Sequence, residues 1–364
     1  MASLARIALA LASLMLAACN FEVPSSSYLA ETKLLTVLIE VVELGELNPD
    51  RVGVPSDVPM AEAMPHDRLA FEAYVVDRNG VRIPSAELDS LWFQCGTLDC
   101  GEALLDSPLL DRDCSELEDA GLAWDMDVIC RLGRGDGVFE FQLPELGQLM
   151  TEQRVGTYHG VIGWEGRSAE SCFEARRAGD RPLDRCGFVT RAVKIGPSWW
   201  MLAYAETIGL QSPIPLPQIP AAVFLQAANR VPEPTFTVTI DGQLRGVWPE
   251  QTSFEVEPGA RISIDSQYDE AKQFLQSYFL GIPVDSTGQE WLFQPASEVL
   301  GEVPYSSNAI VWTGYEPTME RPYPLTWEFV VDEYADPGTS RILLVYFDDR
   351  YGEGVATFEF EVQG

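Results

Sequence analysis

Three kinds of side chain in this 364-residue chain have the chemistry to act: carboxylates, cysteines and two histidines. Carboxylates dominate, with 56 Asp and Glu against 24 Lys and Arg, a formal net charge of −32. Such a surface repels phosphate backbones and argues against nucleic acid as a partner. Paired carboxylates suit glycoside hydrolysis, but among 56 acids chance pairs are inevitable and select no site. Calcium is the sharper option. Between Cys95 and Cys130 lie ten acids and one base, Arg112, and crowded carboxylates repel until a hard divalent cation relieves them. Asp111-x-Asp113-x-Ser115 opens like a calcium loop, with Glu116 where that loop requires Gly. Asp348-Asp349 at the last turn is a second candidate. The expected calcium ligands are therefore Asp111, Asp113, Ser115, Asp348 and Asp349, weighed against a default of solvated acidic loops with no cofactor.

Nucleophilic chemistry finds less. A Ser-His-Asp hydrolase needs a partnered His and usually a recognisable elbow around the Ser. Only His66 and His159 exist, and no G-x-S-x-G occurs. His159, in TYHGVIGW, is expected on a strand surface or satisfied in the core, and His66 in a solvated loop beside Asp67. Gly133-Arg134-Gly135-Asp136-Gly137 lacks the phosphate-loop pattern and reads as a turn. The expectation is a protein that is not an enzyme. Of seven cysteines, Cys19 stands apart. The other six, Cys95, Cys100, Cys114, Cys130, Cys172 and Cys186, lie in the first half without metal-type spacing, and read as three disulfides formed in an oxidising compartment. Cys172–Cys186 closes a short loop. The other four leave three connectivities open, with the nested pairing Cys95–Cys130 and Cys100–Cys114 preferred.

The elements that position these groups begin with an export signal. Arg6 supplies a positive start, and Ile7 to Leu16 is apolar but too short to span a bilayer. It ends in Leu16-Ala17-Ala18-Cys19, which resembles a bacterial lipobox. The resemblance implies that residues 1–18 are removed and that Cys19 is acylated, with diacylglycerol and then a further fatty acid such as palmitate. Several chains anchor nearly permanently. Asn20, rather than Asp, implies the outer membrane, on a face the sequence does not encode. Loss of Arg6 makes the mature charge 23 − 56 = −33.

After a tether at 19–32 come segments of period-two alternation bounded by Gly, Pro and Asp. In the first half (33–197) they are 34–42, 68–77, 90–95, 137–143, 157–164 and 187–195. In the second (235–364) they are 236–240, 253–256, 261–265, 275–280, 309–312, 326–331, 341–347 and 356–362. Residues 198–234, with SPIPLPQIP, read as a semi-rigid connector. The closing segment RILLVYFDDRYGEGVATFEFEV resembles the last hairpin of bacterial immunoglobulin-like and PKD-like domains, and SLWFQC places an aromatic like their core Trp. The resemblance implies an all-β fold of two tandem immunoglobulin-like β-sandwich domains. In the first of them, 157–164 and 187–195 are the last two strands, and stapled insertions at 96–129 and 165–186 interrupt the sandwich.

The function expected is non-catalytic: binding or scaffolding at the cell envelope, through membrane-held acyl chains and a protein or glycan partner. Trp124, the acids around it and the 172–186 loop are the expected contacts. The alternatives are a carbohydrate-active or hydrolytic envelope enzyme, or a subunit of an envelope assembly.

Overall fold

The computed structural model describes residues 28–45, 60–64, 66–95, 112–119, 129–143, 155–180, 183–195, 229–267, 277–283, 291–297, 300–317, 325–348 and 350–364. In the first half the elements are β1 (Lys33–Glu43), β2 (Glu62–Ala63), β3 (Arg68–Val76), β4 (Asp89–Cys95), α1 (Cys114–Asp119), β5 (Cys130–Gly135), β6 (Val138–Gln142), β7 (Val155–Gly163), α2 (Ala169–Arg177) and β8 (Cys186–Ile195). The second half contributes β9 (Thr235–Ile240), β10 (Gln243–Trp248), β11 (Ser253–Val256), β12 (Arg261–Gln267), β13 (Ser277–Pro283), β14 (Trp291–Ser297), β15 (Leu300–Ser306), β16 (Ile310–Pro317), β17 (Leu325–Val331), β18 (Gly338–Asp348) and β19 (Glu353–Val362).

Alternation decides which face of each strand is dry. In the first half, sheet β1-β3-β6 faces sheet β2-β8-β7-β4-β5. Between them lie Val37, Leu69, Phe71, Ala73, Val75, Trp92 and Tyr158, all fully buried. Trp92 stacks on Phe71 at 4.8 Å between ring centroids. Directly across from Trp92 on β7 stands Gly160. A Cβ there would lie 2.7 Å from the indole, so only glycine leaves room for the ring. In the second half, β10-β9-β12-β17-β16 faces β11-β19-β18-β15 across Phe236, Val238, Ile262, Ile264, Phe329, Ile342, Leu344, Phe358 and Phe360. β13 and β14 form a separate hairpin. One sequence expectation changes here: Gly133 and Gly135, read as part of a turn, belong to β5, which pairs with β4.

The two pairs of sheets are themselves joined face to face. In β18 Ile342, Leu344 and Tyr346 point into the second core, while Leu343 and Val345 point the other way. These meet Leu29, Val76 and Tyr305, with Leu35, Tyr74, Val303 and Val355 at the margin. The outer face of β15-β18-β19 thus packs on that of β1-β3, and four sheets stack in series. This explains RILLVYF as a run without alternation, because a strand covered on both faces is apolar on both.

A polar rim closes this seam. Arg350 donates to Glu62 at 2.6 Å, and the two side chains are 5% and 1% exposed. Asn229 donates its backbone N–H to Glu62 Oε2 at 2.9 Å and its side-chain amide to both oxygens of Asp348. Glu353 accepts from Thr36 and pairs with Arg191, whose pKa burial pulls down to about 10. Elsewhere Ser307 Oγ and Arg341 both donate to the carbonyl of Asn79. Most of the expected connector, 198–228, lies outside the described residues. Its end is built into the seam: Asn229 and Arg230 are buried, and Met60 bridges Arg230.

A buried charge stripped of its partner costs far more than an exposed one. Glu62→Ala is expected to lose about 3–5 kcal/mol of stability in urea denaturation. A loss below about 1 kcal/mol would mean the pair behaves as a surface ion pair.

Candidate functional site

The two stapled insertions converge on one surface, the outer face of β5-β4-β7-β8. Along β4, Trp92 points into the core while Leu91, Phe93 and Cys95 point out. Those outward side chains and Val161 are covered by Ala169, Cys172 and Phe173 of α2. The helix follows from local sequence. Ser168 caps it, its hydroxyl oxygen accepting from the Ser171 N–H, and Ala169, Cys172 and Phe173 recur at helical spacing to form the apolar stripe. Arg176 and Arg177 fall in the last turn, where the helix dipole favours cations. Asp89 Oδ2 also accepts from Ala169 N–H at 2.7 Å, and Cys172–Cys186 ties the helix to β8.

The other insertion reaches the same face through β5. Cys130 bonds Cys114, not Cys95 as the nested pairing expected. The reason is local pairing: Asp113 bridges Arg131 and the Arg131 N–H donates to Arg112 O, which sets Cys114 beside Cys130 with Cα atoms 5.0 Å apart. Cys95 is disulfide-bonded as well. Arg131 then grips Glu170 of α2 with both terminal guanidinium nitrogens, at 3.1 and 3.2 Å, so that the two segments brace one another. Between Trp164 and Cys186 five arginines balance five acids, 5 − 5 = 0, against a whole-chain charge of −32.

His159 lies beneath this surface. Its Nδ1 is 2.9 Å from the Thr190 hydroxyl, and its ring stacks near Phe188, over which the Arg176 guanidinium sits at 4.4 Å. Burial, assisted by the Arg176 charge, pulls its pKa down to about 4. It is neutral at pH 7 and a weak base, far from the range where general-base catalysis is efficient. His66 adopts a positive φ and lies beside Asp67, which accepts from the Gly45 and Met64 N–H groups.

The expected calcium ligands are dispersed. Asp113 and Ser115 are exposed at the start of α1, whereas Asp348 is buried beyond the seam. The Asp348 carboxylate is turned onto donors: Asn229 Nδ2, Arg350 N–H at 2.8 Å and Gly352 N–H at 2.9 Å. Burial pushes its pKa up to about 6 against those hydrogen bonds. It braces the β18–β19 turn. Asp111, Asp349, Trp124, Cys100 and Cys19 lie outside the described residues. Among the described residues no three His, Cys, Asp or Glu side chains are grouped to hold a metal, and no helix is long and apolar enough to cross a membrane.

Sequence reasoning did not reach α2 or the seam residues Glu62, Arg191, Asn229, Arg350 and Glu353. The helix had a readable signal in S-A-E-S-C-F, a cap followed by an apolar stripe. The seam had none, because its partners are as many as 317 positions apart.

No family model matches the chain, and no curated protein does. Among solved structures it is similar to dimeric latent PorU from Porphyromonas gingivalis, at 11% identity and a TM-score of 0.19. The match covers 90% of this chain and 24% of that one. At that TM-score the likeness bears on neither fold nor function.

His159 gives this surface a pH signature. The unfolded chain takes up the proton near 6.5 and the folded chain only near 4, so stability is lost as pH falls through that window. Asp348 has the opposite sign: its folded carboxyl protonates below about 6 and its unfolded one near 3.8, so its burial favours folding as pH falls. Comparing each variant with the parent separates them. Going from pH 7 to pH 5, His159→Gln is expected to lose about 2 kcal/mol less stability than the parent in urea melts. Equal losses would place His159 in water.

Proposed function

We propose that this protein is an outer-membrane lipoprotein, held by acyl chains on Cys19, that acts as a non-catalytic binding or scaffolding module at the cell envelope. One observation carries the reading. The lipobox-like Leu16-Ala17-Ala18-Cys19 ends nine positions before Tyr28, the first of the described residues, which already pairs with Ser306.

The strand orders support two immunoglobulin-like units. In each half a short strand runs parallel to the last strand, β2 to β8 and β11 to β19. The last strand pairs with the one before it, and that one with a strand from mid-unit: β8-β7-β4 and β19-β18-β15. The opposing sheets are β1-β3-β6 and β9-β12-β17-β16, the latter with β10 at its edge. These orders support the immunoglobulin-like reading, which puts Trp92 on the strand that carries the core Trp of such sandwiches.

Binding is assigned to the α2 surface. It is the outermost layer of the first half, held by a disulfide, a two-pronged Arg–Glu pair and a helix cap. Its exposed Ser171, Glu174, Arg177 and Arg185 offer a locally neutral surface on an acidic chain. Pre-organised polar groups of this kind suit a protein or glycan partner at little ordering cost.

Cys19→Ser is expected to abolish the acyl mass and release the protein from membranes. The double variant Glu174→Arg/Arg177→Glu is expected to keep the parent's melting midpoint but lose the partner recovered by crosslinking in intact cells. An unacylated parent would remove the lipoprotein reading. Hydrolysis of an envelope glycan, abolished by one Asp or Glu substitution, would replace the binding reading with an enzyme.

A further inference from the structure

The tether leaves the fold at the seam between its two halves. Tyr28 bridges Ser306 of the second half, Leu29 donates its N–H to Ser306 O at 2.8 Å, and the Tyr28 hydroxyl donates to Asn308 O at 3.2 Å. Only after those contacts does the chain enter β1 of the first half. The turn that receives Tyr28 is a meeting point. Ser307 Oγ reaches Asn79 in the turn before Val81, and Ala309 O accepts from Asp332 N–H in the loop that carries Tyr334.

Large apolar side chains are exposed on the segments that meet at this turn. Eight large apolar or aromatic side chains are left exposed among the described residues. Four of them, Tyr28, Val81, Val311 and Tyr334, lie on or beside the segments that meet there, and Tyr334 is 90% exposed. Tyrosine has a ring that prefers hydrocarbon and a hydroxyl that prefers water, which suits the headgroup layer of a bilayer.

Building on the lipoprotein reading above, we propose that this seam face, with Tyr28, Val81 and Tyr334, rests on the bilayer that holds acylated Cys19. The covalent reach limits how far this face can stand from the lipid. Nine residues from Cys19 to Tyr28 span at most about 32 Å when fully extended. Both halves therefore stand at similar height above the lipid, side by side, instead of one behind the other. The α2 surface, two sheets away from the seam, is left free for a partner. Asp332 and Glu333 immediately precede Tyr334 and repel anionic headgroups, so the contact depends on the anchor to hold it at high local concentration.

The test places the photo-crosslinking residue benzoylphenylalanine singly at Val81, at Tyr334 and, as control, at Leu244. Leu244 is exposed on β10, at the opposite edge of its sheet from β16. Full-length acylated protein is reconstituted in phosphatidylethanolamine–phosphatidylglycerol vesicles, its Cys19 lipid confirmed by mass, and irradiated. Lipid adducts at positions 81 and 334, absent at 244 and lost in Cys19→Ser, are the expected result. Acylated protein that gives adducts equally at all three positions, chiefly at 244, or at none overturns the orientation while leaving the anchor intact. Protein adducts at 81 and 334 in intact cells overturn it in favour of a docking partner. A Cys19 without lipid overturns the anchor and the orientation together.

Discussion

Glu62 and Arg350 come from opposite halves of the chain and are buried together at 2.6 Å. Separating the halves would expose Leu343, Val345, Val76 and Tyr305 to water, and closing the joint with only one of the two charges in place would leave that charge buried and unpaired. Hydrophobic burial favours the joint, while the ion pair and its hydrogen-bonded neighbours fix its register, because a shifted interface leaves a charge unpaired. Asn229 serves both sides, donating to Glu62 and to Asp348. The outcome is four sheets in series rather than two beads on a linker.

Strand identity was largely legible, and the reason is visible in particular residues. Phe71, Ala73 and Val75 alternate with Glu72 and Tyr74, and only one face of β3 fills the first core. The final hairpin was legible too, since Asp348 and Gly352 mark its turn. What escaped lay where two demands coincide on one segment. Pro304 and Gly301 in β15 look like punctuation, yet Gly301 makes room for the Phe347 ring, which lies where a Cβ would stand. The unbroken apolar runs of β4 and β18 announced burial but not its two-sidedness, and the covering elements, α2 and β1-β3, come from elsewhere in the chain.

The candidate site was legible by composition and not by geometry. Cysteine count and compartment pointed to stapled loops, and Cys172–Cys186 closes the one predicted. The nested pairing failed because spacing alone does not register the strand pairing that brings Asp113 beside Arg131. Asp348 looked like a cation ligand in sequence. In the fold its lone pairs face N–H groups, which satisfy a buried carboxylate without a metal. His159, expected on a strand surface or satisfied in the core, is kept neutral by burial under a braced helix.

Joined through the seam, the two halves form one cooperative unit. Differential scanning calorimetry of the intact, oxidised protein tests it most directly. A single transition is expected, with calorimetric and van't Hoff enthalpies that agree. Two resolved transitions, with a calorimetric enthalpy well above the van't Hoff value, would show that the halves melt independently and that the buried joint couples nothing.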